Sequence, residues 1–90
     1  MQTIEELKRM LIDAFPDARI YLFGSRARGD ASEFSDIDIA IESERPLQRR
    51  LSEIRERIEA SRLPWKVDLL EMRQAPGLRS VIEREGLRWH

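Results

Sequence analysis

Apolar residues recur along the chain in two rhythms, and each change of rhythm marks a change of element. Ile4, Leu7, Leu11 and Ala14 stand at helical spacing, Met10, Ile12 and Phe15 widen the stripe, and the run ends at Pro16. The pattern predicts a helix over residues 3 to 15. Thr3 with Glu6 three positions later reads as a capping box, in which hydroxyl and carboxylate satisfy N–H groups that the first turn leaves unpaired. Pro16-Asp17-Ala18 is a turn, and Arg19-Ile20-Tyr21-Leu22-Phe23 is a β-branched and aromatic run that predicts a short buried strand.

The strand delivers the chain to Gly24. Ser25 is placed to cap a short helix over Arg26 to Gly29, and a polar loop follows to Ser35. Asp36-Ile37-Asp38-Ile39-Ala40-Ile41 then alternates with period two, sending Asp36, Asp38 and Ala40 to one face and three isoleucines to the other. One face is core and the other carries paired acid.

After a loop over Glu42 to Arg45, Pro46 suits the first turn of a long helix running to about Ser61. Leu47, Leu51, Ile54 and Ile58 make its apolar stripe, and the charges around them predict a solvated surface laced with i, i+4 pairs. Leu63-Pro64 breaks the helix, and Trp65 to Leu70 reads as a third strand with Asp68 opposite in facing to Val67 and Leu69. A short amphipathic helix with Leu78, Val81 and Ile82 follows, stopped by Gly86 before Leu87-Arg88-Trp89. There is no repeat, low-complexity tract or linker. The order predicts one domain over residues 1–90, of α+β or mixed α/β class, with a small mixed sheet and helices packed on its apolar face.

Composition narrows the chemistry. Ninety residues bury roughly 60 to 65 % of their unfolded surface, so the core must be small. Sixteen Lys and Arg nearly cancel seventeen Asp and Glu, which argues against a general nucleic-acid binder. The absence of cysteine and the single histidine exclude disulfides, thiolate sites, a zinc site and a Ser-His-Asp triad of the usual kind. Any metal must be a hard cation on oxygen ligands. No basic and apolar leader opens the chain and no apolar run is long enough to span a bilayer, so a cytoplasmic protein without membrane contact is expected.

Two aspartates at i, i+2 on a strand lie roughly 7 Å apart at their Cα atoms, close enough to converge on one divalent ion. They repel too strongly to be placed together for stability alone. Mg²⁺ takes one or two carboxylates with phosphate oxygens and waters, the ligand set that Asp36 and Asp38 would complete with a nucleoside triphosphate. Gly24 and Ser25 supply the phosphate cradle: glycine permits close backbone approach, and the amides of a helix start donate. A third carboxylate is needed where one ion activates an attacking hydroxyl and another steadies the pyrophosphate. Asp68 is the candidate, either as a ligand or as the base; Glu71 is placed past the strand.

Gly24-Ser25, ten residues, Asp36-Ile37-Asp38 and then Asp68 in a short apolar strand together resemble the nucleotidyltransferase superfamily of the DNA polymerase β type. More closely, Phe23 to Asp30 and Ser35 to Asp38 resemble its minimal nucleotidyltransferase branch, the small antitoxins encoded beside HEPN-domain ribonuclease toxins. The likeness runs through the leading helix, the strands and the closing Arg84-Glu85-Gly86. It implies a palm-like fold, with Gly24 and Ser25 on the triphosphate of ATP, Asp36 and Asp38 on Mg²⁺, and Asp68 on the nucleophile side. Arg26 and Arg28 match the family's arginines and are expected on phosphate or partner. It further implies transfer of AMP to a tyrosine of the cognate HEPN toxin, silencing its RNase activity within a hetero-oligomer.

Alone, a Gly-Ser turn or an Asp-x-Asp strand is weak; the weight lies in their combination. Arg26 and Arg28 have an alternative role in ion pairs with Asp30 or Glu33. Trp65 and Trp89 could be core or interface. Two rival functions stay open: an antitoxin that masks its partner without chemistry, and nucleotide transfer to a small molecule or RNA.

Overall fold

The computed structural model describes all residues from Met1 to His90. Helix α1 (Ile4–Ala14) is followed by strand β1 (Arg19–Phe23), the single-turn helix α2 (Ser25–Arg28) and strand β2 (Ile37–Glu42). Helix α3 (Gln48–Glu59), strand β3 (Val67–Glu71), a 3₁₀ turn at Met72–Gln74, helix α4 (Leu78–Glu85) and strand β4 (Leu87–Arg88) complete the chain. The sheet runs β3-β2-β1-β4. β1 is antiparallel to β2 and β4, whereas β2 and β3 are parallel. A parallel pair needs a long crossover, and α3 provides it.

The predicted alternation in β2 is what organises the core. Ile37, Ile39 and Ile41 are fully buried, and their register partners Ile20, Leu22 and Leu69 lie on the same face. Leu7 and Leu11 of α1 and Leu51, Ile54 and Ile58 of α3 close over that face to make one cluster. Fully burying an aliphatic side chain of this size contributes roughly 1.5–3 kcal/mol, so β2 is the thermodynamic centre of the domain.

Thr3 Oγ1 does accept the Glu6 N–H at 3.1 Å, but Glu6 Oε1 takes the Thr3 hydroxyl proton instead of reaching back to a backbone amide, so the box is half formed. Leu47 holds the N-cap position of α3 and offers no side-chain cap. That function comes from Glu71, whose Oε1 accepts the Leu47 N–H at 3.2 Å. Glu71 is therefore the last residue of β3, buried on the core face, not a loop residue beyond it. The ladder of ion pairs along α3 is absent: Arg50 donates to the Ala14 carbonyl and Arg55 to that of Leu69. The tail contributes a fourth strand, pairing Leu87 with Leu22 and Arg88 with Tyr21.

The opposite face of the sheet is divided. Ala40, Met72 and Ile82 are buried there with Tyr21, Phe23 and Leu78 around them, so α4 covers one half. Asp38 and Asp68 occupy the half left open. Glu42 at the end of β2 binds Arg19 of β1 at 3.3 Å and Arg79 of α4, tying the covering helix to the sheet. The Arg79 hydrogen bond, partly opposed by burial, holds the Glu42 carboxyl below the usual glutamate range. A lowered folded value gives stability that is present above the unfolded pKa and lost as pH falls through the folded one. Glu42→Gln should therefore lower stability at neutral pH by about 0.5–1 kcal/mol. Urea unfolding of both proteins should converge in acid below the glutamate range; a gap that persists there would contradict the assignment.

Candidate active site

β1 ends at Phe23 and the backbone turns sharply at Gly24, whose φ of 77° belongs to the left-handed half of conformational space. A side chain there is disfavoured twice over, because a Cβ would also collide with Asp38 Oδ2 unless that carboxylate shifts. The turn thus lies directly against the carboxylate. Gly24, not Ser25, takes the N-cap position of α2, and the Ser25 hydroxyl plays no part in capping. The Gly24 carbonyl accepts the N–H groups of Ala27 and Arg28, both at 3.1 Å, leaving the amides of Ser25 and Arg26 without intrahelical partners. The turn therefore presents two amides without intrahelical partners beside the Asp38 carboxylate, with the glycine doing the turning.

Register brings the acids together. Asp38 is opposite Phe23 on one side and Asp68 on the other, so its carboxylate is flanked by the end of β1, the Gly24 turn and Asp68. Asp36 stands one residue before β2 and is exposed at the mouth. Asp38 is half-buried, and that burial pushes its carboxyl above the ordinary aspartate range; the charges of Asp68 and Asp36 push it further, and Arg28 opposes them. The Asp68 side chain is partly exposed, with Lys66 Nζ at 4.0 Å.

The chemistry of this donor set fits a hard divalent cation. All candidate ligands are carboxylate oxygens, and the pair with the strongest mutual repulsion is the pair that a cation would relieve. No three acids converge into a cage able to hold an ion unaided. Two carboxylates completed by phosphate oxygens is the arrangement Mg²⁺ favours.

The two arginines diverge. Arg28 pairs with Asp30 and with Glu85 of α4, each at 3.2 Å. Arg26 donates from Nε and Nη2 to the Ser35 carbonyl at 3.1 and 2.9 Å, and from Nη2 to that of Glu33 at 3.4 Å. Its guanidinium also lies 5.3 Å from the centre of the Trp65 ring, and the Trp65 indole N–H donates to the Glu33 carbonyl at 2.8 Å. Both tryptophans are half-buried against the main core, Trp89 with Lys8 over its ring. Sequence reasoning missed the Arg26 and Trp65 contacts with the loop and the buried cap from Glu71. Each joins residues far apart in the chain, and no local periodicity signals them.

The nucleotidyltransferase domain family matches residues 2–90. A Haemophilus influenzae chain named as a protein adenylyltransferase, MntA, is 42 % identical over 66 residues, covering 72 % of this chain and 58 % of the relative. The alignment thus spans little more than half of that relative's length. A chain of a mutant MntA-HpeT toxin-antitoxin crystal structure superposes with a TM-score of 0.77 at 29 % identity, over 96 % of this chain and 71 % of the other. A chain from the complex of a tri-AMPylated Shewanella oneidensis HEPN toxin with its MNT antitoxin gives 0.68 at 27 % identity, over 96 % and 67 %.

Two measurements check the geometry without any ligand. Asp68→Asn removes a neighbouring negative charge, so the Asp38 carboxyl should titrate at lower pH by side-chain ¹³C NMR; an unmoved midpoint would mean that the two groups are not in contact. Gly24→Ala should destabilise the fold by about 1–3 kcal/mol in chemical denaturation, since the backbone strain and the Asp38 collision add. A variant as stable as the parent would refute the close approach.

Proposed function

The chain belongs to the nucleotidyltransferase domain family, and from that membership we propose that residues 1–90 act as one minimal domain transferring AMP from ATP to a hydroxyl of a partner protein. The observation that carries this reading is the pairing of Asp38 with Asp68 beside a turn whose positive φ favours glycine. A turn with free amides and a pair of mutually repelling carboxylates at matched register positions have little structural purpose, and together they match the demands of phosphoryl chemistry.

Each residue has a role in that scheme. The free amides at Ser25 and Arg26, with the Ser25 hydroxyl, hold and orient the triphosphate. Asp36, Asp38 and Asp68, which form no cage by themselves, would hold Mg²⁺ only together with phosphate oxygens, and the bound ion would neutralise phosphate charge and stabilise the departing pyrophosphate. Asp68, partly exposed on the strand beside Asp38, takes the proton of the incoming hydroxyl. The acceptor oxygen forms its bond to the α-phosphorus as the bond to pyrophosphate breaks. Arg28, already close enough to influence Asp38, adds positive charge to the same region.

The acceptor we propose is a tyrosine of a HEPN-domain RNase toxin, which makes the protein the antitoxin of a two-gene system acting within a hetero-oligomer. Support comes from the similarity to the MntA chain and to the complex containing an AMPylated HEPN toxin. No helix of the chain is long and apolar enough to cross a membrane.

The test is co-incubation with the product of the neighbouring gene, ATP and Mg²⁺, read by intact mass. The toxin should gain AMP in whole units, with loss of its RNase activity. Asp38→Asn should reduce transfer by at least about 10²-fold, the scale for losing a group that stabilises transition-state charge. EDTA should abolish it. Neutralisation of the toxin at unchanged mass by both wild-type and Asp38→Asn proteins would establish masking instead.

A further inference from the structure

Asp36, Asp38 and Asp68 repel one another, and Asp36 sits at the end of a long polar loop. Nothing in β2 itself would stop that loop from drifting away from the cradle. Yet the loop is held from three sides. Within it, the Ser32 amide donates to Ser35 Oγ at 2.9 Å, the Ser35 amide to the Ser32 carbonyl at 3.2 Å, and the Phe34 amide to Ser32 Oγ at 3.3 Å. From α2, Arg26 grips the carbonyls of Glu33 and Ser35. From the segment leading into β3, Trp65 takes the same Glu33 carbonyl and stacks beneath the guanidinium. The next contact along is Ile37, whose amide donates to the Lys66 carbonyl at 2.9 Å.

We infer that Arg26 and Trp65 are positioning residues that clamp the Glu33–Ser35 segment, setting Asp36 and Asp38 at fixed separation from the Gly24 cradle and from Asp68. Arg26 arises one residue after Ser25, and Trp65 lies three residues before Asp68. Their shared carbonyl therefore locks the two ends of the site to the loop that carries the third component. The clamp also accounts for Phe34, which is 83 % exposed: its neighbours on both sides have their carbonyls drawn inward, and its own side chain is left projecting. With Nε and Nη2 so engaged, Arg26 shapes the site instead of reaching for phosphate. This inference rests on the adenylyltransferase reading for its effect on rate, but not for its effect on the loop.

Arg26→Lys keeps the charge and removes the planar fork, while Trp65→Phe keeps a ring in place and removes the N–H donor. Each variant should slow single-turnover AMP transfer at saturating ATP by about tenfold or more, since small misplacements of reacting groups are costly. The dissociation constant for ATP should stay within about twofold, and the double variant should be far less than multiplicative because both residues hold one carbonyl. Amide hydrogen exchange at Ser35 to Ile37 should accelerate by about tenfold, with α1 and α3 protection unchanged. A tenfold weaker ATP affinity at an unchanged maximal rate would make Arg26 a phosphate contact and overturn the inference. Unchanged loop exchange in both variants would overturn it as well. If the wild-type protein transfers no AMP, the function is wrong, and the exchange measurement still decides the clamp.

Discussion

Two aspartates held side by side against their own repulsion are the constraint from which the rest of the domain follows. Asp38 and Asp68 face each other across the parallel junction of β2 and β3, and partial burial of Asp38 removes some of the water that would screen it. The opposing term lies on the other face of the same residues' strands. Ile37, Ile39, Ile41 and Leu69 are held in register by the core, and moving Asp38 away from Asp68 would slide Ile39 off Leu69. A one-residue slip would expose the whole set, which sheets resist strongly. The aliphatic ladder is therefore what makes the acidic pair possible.

Parallel pairing also dictates the architecture around it. β2 and β3 run the same way only because α3 crosses between them, and α3 begins where the buried Glu71 carboxylate meets the Leu47 amide. The last residue of the strand that carries Asp68 thus starts the helix that returns to that strand. Glu71, three positions after Asp68 on the same strand, has an architectural role, whereas Asp68 is set opposite another acid. Burial and partner distinguish them: Glu71 faces the core and caps a helix, whereas Asp68 faces its own like.

Most of the fold was legible because hydrophobic periodicity reports burial directly. The stripe of α1, the alternation of β2 and the stripe of α3 are all present in the structure with boundaries moved by a residue or two. That Gly24 turns the chain beside Asp38 follows a local pattern, and Asp68 falls opposite Asp38 because its strand alternates as the apolar run indicates. What could not be read were the contacts between distant segments. Arg26 met Trp65 and the Glu33 carbonyl through tertiary folding alone, and the two-residue β4 is too short to carry an alternating pattern. Residue preference favours Ser25 as the cap, but the chain turns at Gly24 with positive φ and the N-cap position falls there.

The fate of the two arginines shows how a single turn of helix can be anchored on both flanks. Residues i and i+2 project about 200° apart around a helix, so Arg26 and Arg28 must leave α2 in nearly opposite directions. Arg26 reaches the loop before β2 and the approach to β3, while Arg28 reaches Glu85 at the end of α4. α4 is in turn fixed to the sheet by Ile82 beneath it and by Arg79 on Glu42. A four-residue helix has too few internal hydrogen bonds to be stable alone, and its orientation must come from outside. The repeated arginine in Ser25-Arg26-Ala27-Arg28 is therefore a bracing pattern as much as a source of positive charge: it holds the Gly24 turn against Asp38 from both sides.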